Sequence, residues 1–249
     1  MKCLDIILSF NKDMDCFKQL VNDELNNIYL SGPLLLKEPI NYIIRGGKRL
    51  RPSLCLLICN AFNKNVSKAL VPAVSIELLH LFSLIHDDIM DNDDIRHNQL
   101  TLHKKWNISV AILAGDAILA LAFKRLNNTE NSIKELFNSA LIAVCEGQAL
   151  DIEYEGLKNI SNKEYFKMID LKTGFLIGLS AQMGATVANV ADEISLAIRD
   201  YGRLLGRAFQ MQDDCLEIFS NSENMGKSLE SDILLGKKTF LMIQALERM

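Results

Sequence analysis

No proline occurs between Pro72 and the end of the chain at Met249. Proline punctuates the turns of sheet proteins, so a tract this long without one fits a succession of helices better than a sheet protein. Apolar residues recur at helical spacing over 108–126, 131–156, 162–190 and 192–220, and the same pattern covers 68–92. Short polar breaks such as Asn127-Asn128-Thr129 and Ser161-Asn162-Lys163 separate them. The fold class read from this pattern is all-α, a bundle of long helices. Stretches 111–122 and 176–185 are apolar almost all round, so neighbouring helices or a second subunit should bury them.

A chain of 249 residues with no marked boundary is read as one domain, 1–249, large enough to bury a core. Its net charge of -4 argues against nucleic acid as a partner. The apolar start from Cys3 to Phe10 is cut by Asn11, Lys12 and Asp13, which is too short for a signal-peptide core. No segment is expected to supply the ~20 apolar residues of a transmembrane helix. The six cysteines form no CxxC pair, and Cys55 and Cys59 sit i,i+4 in an apolar run as buried thiols. A reducing, cytoplasmic location follows from that usage.

Two acidic clusters carry the chemistry. Asp87, Asp88 and Asp91 end one apolar helix, with Asp87 and Asp91 stacked on one face and His80 on the same stripe. Asp213, Asp214 and Glu217 repeat the pattern, with Gln210 and Gly206 on the side of Asp213. Like charges at i,i+4 destabilise an isolated helix by ~0.2–0.5 kcal/mol, so a cation is expected between them. Oxygen ligands without a Cys or His cluster suit Mg²⁺, which shares its shell with water and substrate phosphates. The bland reading of either cluster alone is a solvated helix end. A basic segment answers the acidic ones: Gly46 and Gly47 open a helix on which Lys48 and Arg51 stand i,i+3, a geometry suited to a diphosphate.

These motifs, in this order, resemble the trans-isoprenyl diphosphate synthases, which include farnesyl and geranylgeranyl diphosphate synthases. The matching segments are GGKRLRP at 46–52, ELLHLFSLIHDDIMD at 77–91, LAGDAIL at 113–119, GQALD at 147–151, KTG at 172–174 and GRAFQMQDD at 206–214. The resemblance implies an isoprenoid synthase-type helical bundle around a central cavity, and condensation of isopentenyl diphosphate with an allylic diphosphate in a homodimeric enzyme. It implies Mg²⁺ held by Asp87, Asp88, Asp91, Asp213, Asp214 and Glu217. Gly47, Lys48, Arg51 and His80 would bind isopentenyl diphosphate, while Arg96, Lys172, Lys227 and Lys237 would hold the allylic diphosphate. Thr173 and Gln210 match polar groups beside the cationic carbon, and Gln148 and Asp151 look like their support.

Three departures from the family pattern stand out. His97 replaces the second of two arginines, at a position that the resemblance assigns to isopentenyl diphosphate binding; Glu217 replaces a final aspartate; and the chain stops at Met249 where the family continues for several helices, so it is expected to lack those. Rival readings are a terpene cyclase-like or head-to-head condensing enzyme, against which GGKRLR and His80 speak, and a non-catalytic partner subunit of a synthase. The resemblance also sets product length through the residue five before Asp87. That residue is Phe82, roughly 7–8 Å away along the helix axis. Ideal geometry puts Ser83 rather than Phe82 on the aspartate stripe, and Leu79 is the next alternative. An aromatic at this offset implies C15 to C20 products, with C20 ahead.

Overall fold

Helices with more than one apolar face must surround one another, and here they do. The computed structural model describes residues 2–29, 31–63, 65–219 and 236–246, with side chains from residue 10 to 216 and again from 236. Its helices are α1 (Lys2–Asn26), α2 (Leu34–Ile43), α3 (Leu50–Asn63), α4 (Ser67–Met90), α5 (Leu102–Lys105), α6 (Ile108–Leu126), α7 (Asn131–Glu155), α8 (Asn162–Ile169), α9 (Phe175–Val187), α10 (Asp192–Phe219) and α11 (Phe240–Leu246). The all-α expectation holds, apart from a two-residue ribbon. In it β1 (Ile95–Arg96) pairs antiparallel with β2 (Gln99–Leu100) across His97 and Asn98, both with left-handed φ as a tight hairpin requires.

Helices α4 and α9 form the centre. On α4, Val74, Ile76, Leu78, Leu79 and Ile85 are buried against α3, α6 and α9. Every residue of α9 from Leu176 to Ala185 is buried. The sequence-based expectation of no bilayer-length apolar segment needs amending for α4, which is long and apolar enough by length and composition. Inside the bundle 61% of that window is buried, as in a core helix.

The expected single helix over 162–190 divides in three. Between α8 and α9 lies a π-helical turn, Asp170–Gly174, which carries Lys172 and Thr173. Contacts from other elements hold it. A Cβ on Gly147 of α7 would collide with the Lys172 backbone, and a Cβ on Gly206 of α10 would stand 2.6 Å from Gly174 Cα. From α10, Arg203 and Arg207 both donate to the buried Asp170 carboxylate. A π-turn shifts the side-chain register by about one residue, which aims Lys172 and Thr173 differently from a plain helix.

The outer faces of α6 and α7 remain apolar. Ile108, Ile112, Leu113 and Phe123 on the first, and Ile142 and Ile152 on the second, are exposed.

Candidate active site

The last turn of α4 presents Asp87 and Asp91 to two lysines from distant parts of the chain. Lys237, ahead of α11, donates to Asp91 Oδ2 at 2.6 Å, and both side chains are largely buried. Lys172 donates to Asp151 Oδ2 of α7, also at 2.6 Å. Burial raises the Asp87 carboxyl above the usual carboxylate range; Lys172 opposes this, Asp91 adds to it, and Arg96 and Lys237 oppose it again. Burial works against the charge on Lys172, but Asp87 and Asp151 outweigh it and hold its pKa above the ordinary lysine value. Glu155, one turn beyond Asp151, joins the cluster: burial first, then Asp151, raise its carboxyl, with Lys237 pulling the other way. The sequence reading missed Glu155, although its i,i+4 spacing from Asp151 repeats the spacing of both acidic motifs.

The resemblance groups Asp88 and Asp214 with the metal ligands; in the structure both are turned inward to protein partners. Asp88 is paired with Arg96, which also reaches Asp93 at 3.4 Å. Burial raises the Asp88 carboxyl, to about 7, against the pull of Arg96. Asp214 accepts from the Tyr165 hydroxyl at 2.7 Å, from Gln210 Nε2 at 3.0 Å and from the Phe240 backbone N–H at 3.1 Å. That chain fixes the Gln210 amide, so that its Oε1 accepts from Thr173 Oγ1 at 2.9 Å. Tyr165 was not foreseen, because nothing in its local pattern distinguishes it from a core aromatic. The Glu217 side chain and all of Lys227 lie outside the described residues.

The basic segment meets the same helix about two turns earlier. Gly47 has φ 98, Lys48 is exposed, and Arg51 Nη1 lies 3.1 Å from His80 Nε2. Burial, then the charge of Arg51, lowers the His80 pKa well below its usual value, so the ring is neutral. Since guanidinium can only donate, Nε2 is the acceptor and Nδ1 carries the proton. Burial lowers the Arg51 pKa, while Glu77 and Asp213 raise it, which brings Asp213 of α10 into the same field. Arg51 Nε has no protein partner although it is buried, and the same holds for both amide atoms of Gln148. His97 sits where Lys48 and Arg49 act on it; burial, Arg96 and then these two lower its pKa.

The three chain-length candidates differ in exposure. Leu79 is fully buried, the Ser83 hydroxyl donates to the His80 carbonyl at 2.9 Å, and the part-buried Phe82 ring lies 4.5 Å from the His86 ring.

Among the described residues no group of three His, Cys, Asp or Glu side chains converges as a closed metal site. An oxygen-only donor set that stays open suits a hard cation whose shell is completed by phosphate oxygens and water.

The polyprenyl synthetase family model matches residues 33–249. A geranylgeranyl diphosphate synthase of Methanosarcina mazei is 39% identical over 233 residues, which span 91% of this chain and 71% of that one. A short chain isoprenyl diphosphate synthase of Methanothermobacter thermautotrophicus is 37% identical over 253 residues, covering 100% and 76%. Among solved structures, geranylgeranyl pyrophosphate synthetase from Pyrococcus horikoshii superposes with a TM-score of 0.87 at 34% identity, over 97% of this chain and 77% of that one. Geranyltransferase from Helicobacter pylori, complexed with magnesium and isoprenyl diphosphate, gives 0.81 at 30% identity, over 95% and 85%.

Proposed function

This chain belongs to the polyprenyl synthetase family, and from that premise we propose that it condenses isopentenyl diphosphate with an allylic diphosphate to a C15 to C20 trans-prenyl diphosphate. One observation carries the reading: Asp87 and Asp91 at the end of α4 lie among Lys172 and Lys237, beside a separate site built on the Arg51 cation and the neutral His80. Two sites of opposite composition suit two diphosphates, one bound through metal and one bound directly.

Mg²⁺ fits the oxygen donors, with Asp87, Asp91, Asp213 and Glu217 as its holders; it supplies neutralisation of charge on the departing diphosphate. Lys172 and Lys237, each now on a carboxylate, turn to the diphosphate oxygens when substrate arrives. Thr173 and Gln210 face the allylic carbon with oxygen dipoles that steady a cation without trapping it. Asp88 keeps Arg96 in place, and Asp214 keeps Gln210 in place. Lys48, Arg51 and His80 hold isopentenyl diphosphate, whose double bond attacks the cation, and the freed diphosphate removes the final proton.

The exposed apolar faces of α6 and α7 support a homodimer, tested by the mass in solution. The five described cysteines are free, which supports a cytoplasmic location. Incubation of the purified chain with isopentenyl diphosphate, an allylic primer and Mg²⁺ should yield prenyl diphosphate, and EDTA should abolish it. Product only after adding a second protein would favour the partner-subunit reading instead.

A further inference from the structure

The loop ahead of α3 is gripped by a residue that cannot itself reach a substrate. Arg49 stands between Lys48 and Arg51 in a run of cations, yet its side chain is 2% exposed. All three guanidinium nitrogens are engaged. Nε donates to Asn22 Oδ1 of α1 at 2.9 Å, Nη1 donates to Glu77 Oε1 of α4 at 2.7 Å, and Nη2 donates to the Ile44 carbonyl after α2. Glu77 is equally buried, at 3%. The Arg49 backbone has φ 54, a left-handed conformation that is unfavourable for a non-glycine residue and persists only where the surroundings impose it. Gly47, at φ 98, leaves the needed room: a Cβ there would stand 3.2 Å from Arg49 Nη1.

Glu77 and His80 lie one turn apart on the same face of α4. Glu77 holds Arg49 and His80 holds Arg51, so one helix fixes the loop at two points. Glu77 also acts through space on Arg51 as the largest influence opposing its burial. Lys48, between the two, is left exposed.

We propose that the Arg49–Glu77 pair, braced by Asn22, is a positioning device for isopentenyl diphosphate. It sets the backbone of residues 47–51 so that Lys48 and Arg51 meet one diphosphate, and it touches no substrate. The inference rests on the prenyltransferase reading above. A merely structural pair would affect stability and both substrates alike, whereas a positioning pair acts on one substrate.

The test is steady-state kinetics on Glu77→Gln and Asn22→Ala with each substrate varied in turn, and thermal unfolding to certify the fold. The expected result is a KM for isopentenyl diphosphate raised about tenfold in Glu77→Gln and less in Asn22→Ala, the scale of one misplaced charge-assisted contact. The turnover number and the allylic KM stay within about twofold. If Glu77→Gln does not fold, Asn22→Ala carries the test, because it leaves the ion pair whole. Equal rises in both KM values, or an unmoved isopentenyl diphosphate KM in folded variants, would overturn the proposal. Calorimetric titration of isopentenyl diphosphate separates this from the function itself. A parent that binds but does not turn over overturns only the catalytic reading, and Asn22→Ala must still weaken that binding; a parent that does neither overturns both.

Discussion

Lys237 donates to Asp91 across 2.6 Å, which ties the segment ahead of α11 to the end of α4. With both side chains largely buried, removing the lysine strands a carboxylate. Lys237→Ala should therefore lower metal-free stability by about 1–3 kcal/mol. Saturating Mg²⁺ should restore much of that loss, because a cation at Asp91 replaces the ammonium. Allylic kcat/KM should stay down by about 10²-fold or more even then, for want of the phosphate contact. Thermal melts with and without Mg²⁺ check this, and a stability loss that metal leaves undiminished would remove Asp91 from the metal site.

Gly147 backs directly on the Lys172 main chain. Gly147→Ala should push the π-turn outward and move Lys172 off Asp151, with a stability cost of about 1–3 kcal/mol from overpacking. Turnover should fall by about 10²-fold, as expected for a displacement near 1 Å at a reacting centre. Kinetics on the folded variant measure it, and near-parental turnover would mean that the π-turn is not needed to aim Lys172.

Asp170 gives a pH dependence with a definite sign. Burial works to raise its carboxyl, but hydrogen bonds from Arg203 and Arg207 outweigh burial and hold it below the ordinary range. The folded chain thus binds fewer protons at this site than the unfolded chain, whose aspartate titrates near ~3.9. The contribution is fully present above that value and is lost as pH falls through the folded pKa. Asp170→Asn should cost about 1–3 kcal/mol at pH 7, less than for a sealed pair because both arginines keep some access to water. The gap in Tm between parent and variant should narrow from pH 7 toward pH 3, and a gap independent of pH would show that the carboxylate charge is not what holds the turn.

The long helices were legible because their apolar period is a local property of the chain, as over 108–126 and 131–156. The π-turn was not, since Asp170–Gly174 carries no local signal and its register is imposed by Gly147, Arg203 and Arg207 from other helices. In the same way Arg49 reads as one cation among several, and only the fold brings Asn22 and Glu77 to it. Adjacent aspartates are also equivalent in sequence. Helical geometry then separates them, turning Asp88 toward Arg96 and Asp214 toward Tyr165, while Asp87 remains among the lysines.

Product length depends on what the growing chain meets below the first acidic motif. Phe82 lies one turn before His86, and the two rings approach to 4.5 Å at a tilt of 57°. The His86 ring in turn lies against α6, where a Cβ on Gly115 would stand 2.5 Å from its Cε1. The Phe82 ring is therefore backed by a second ring packed against α6, an arrangement suited to a floor. Ser83, the residue favoured by the helical wheel, is small and spends its hydroxyl on the His80 carbonyl. Leu79 is fully buried in the core and already a full turn deeper along α4. Phe82→Ala should open space and lengthen the products by one or more isoprene units, at a stability cost of about 2–4 kcal/mol, somewhat below the cost of truncating a fully buried aromatic because Phe82 is part-buried. Chromatography of dephosphorylated products against parent, with the same allylic primer, reads the outcome. If the variant folds, turns over and returns the parental chain length, Phe82 is a core residue only, and Leu79→Ala is the next substitution to make.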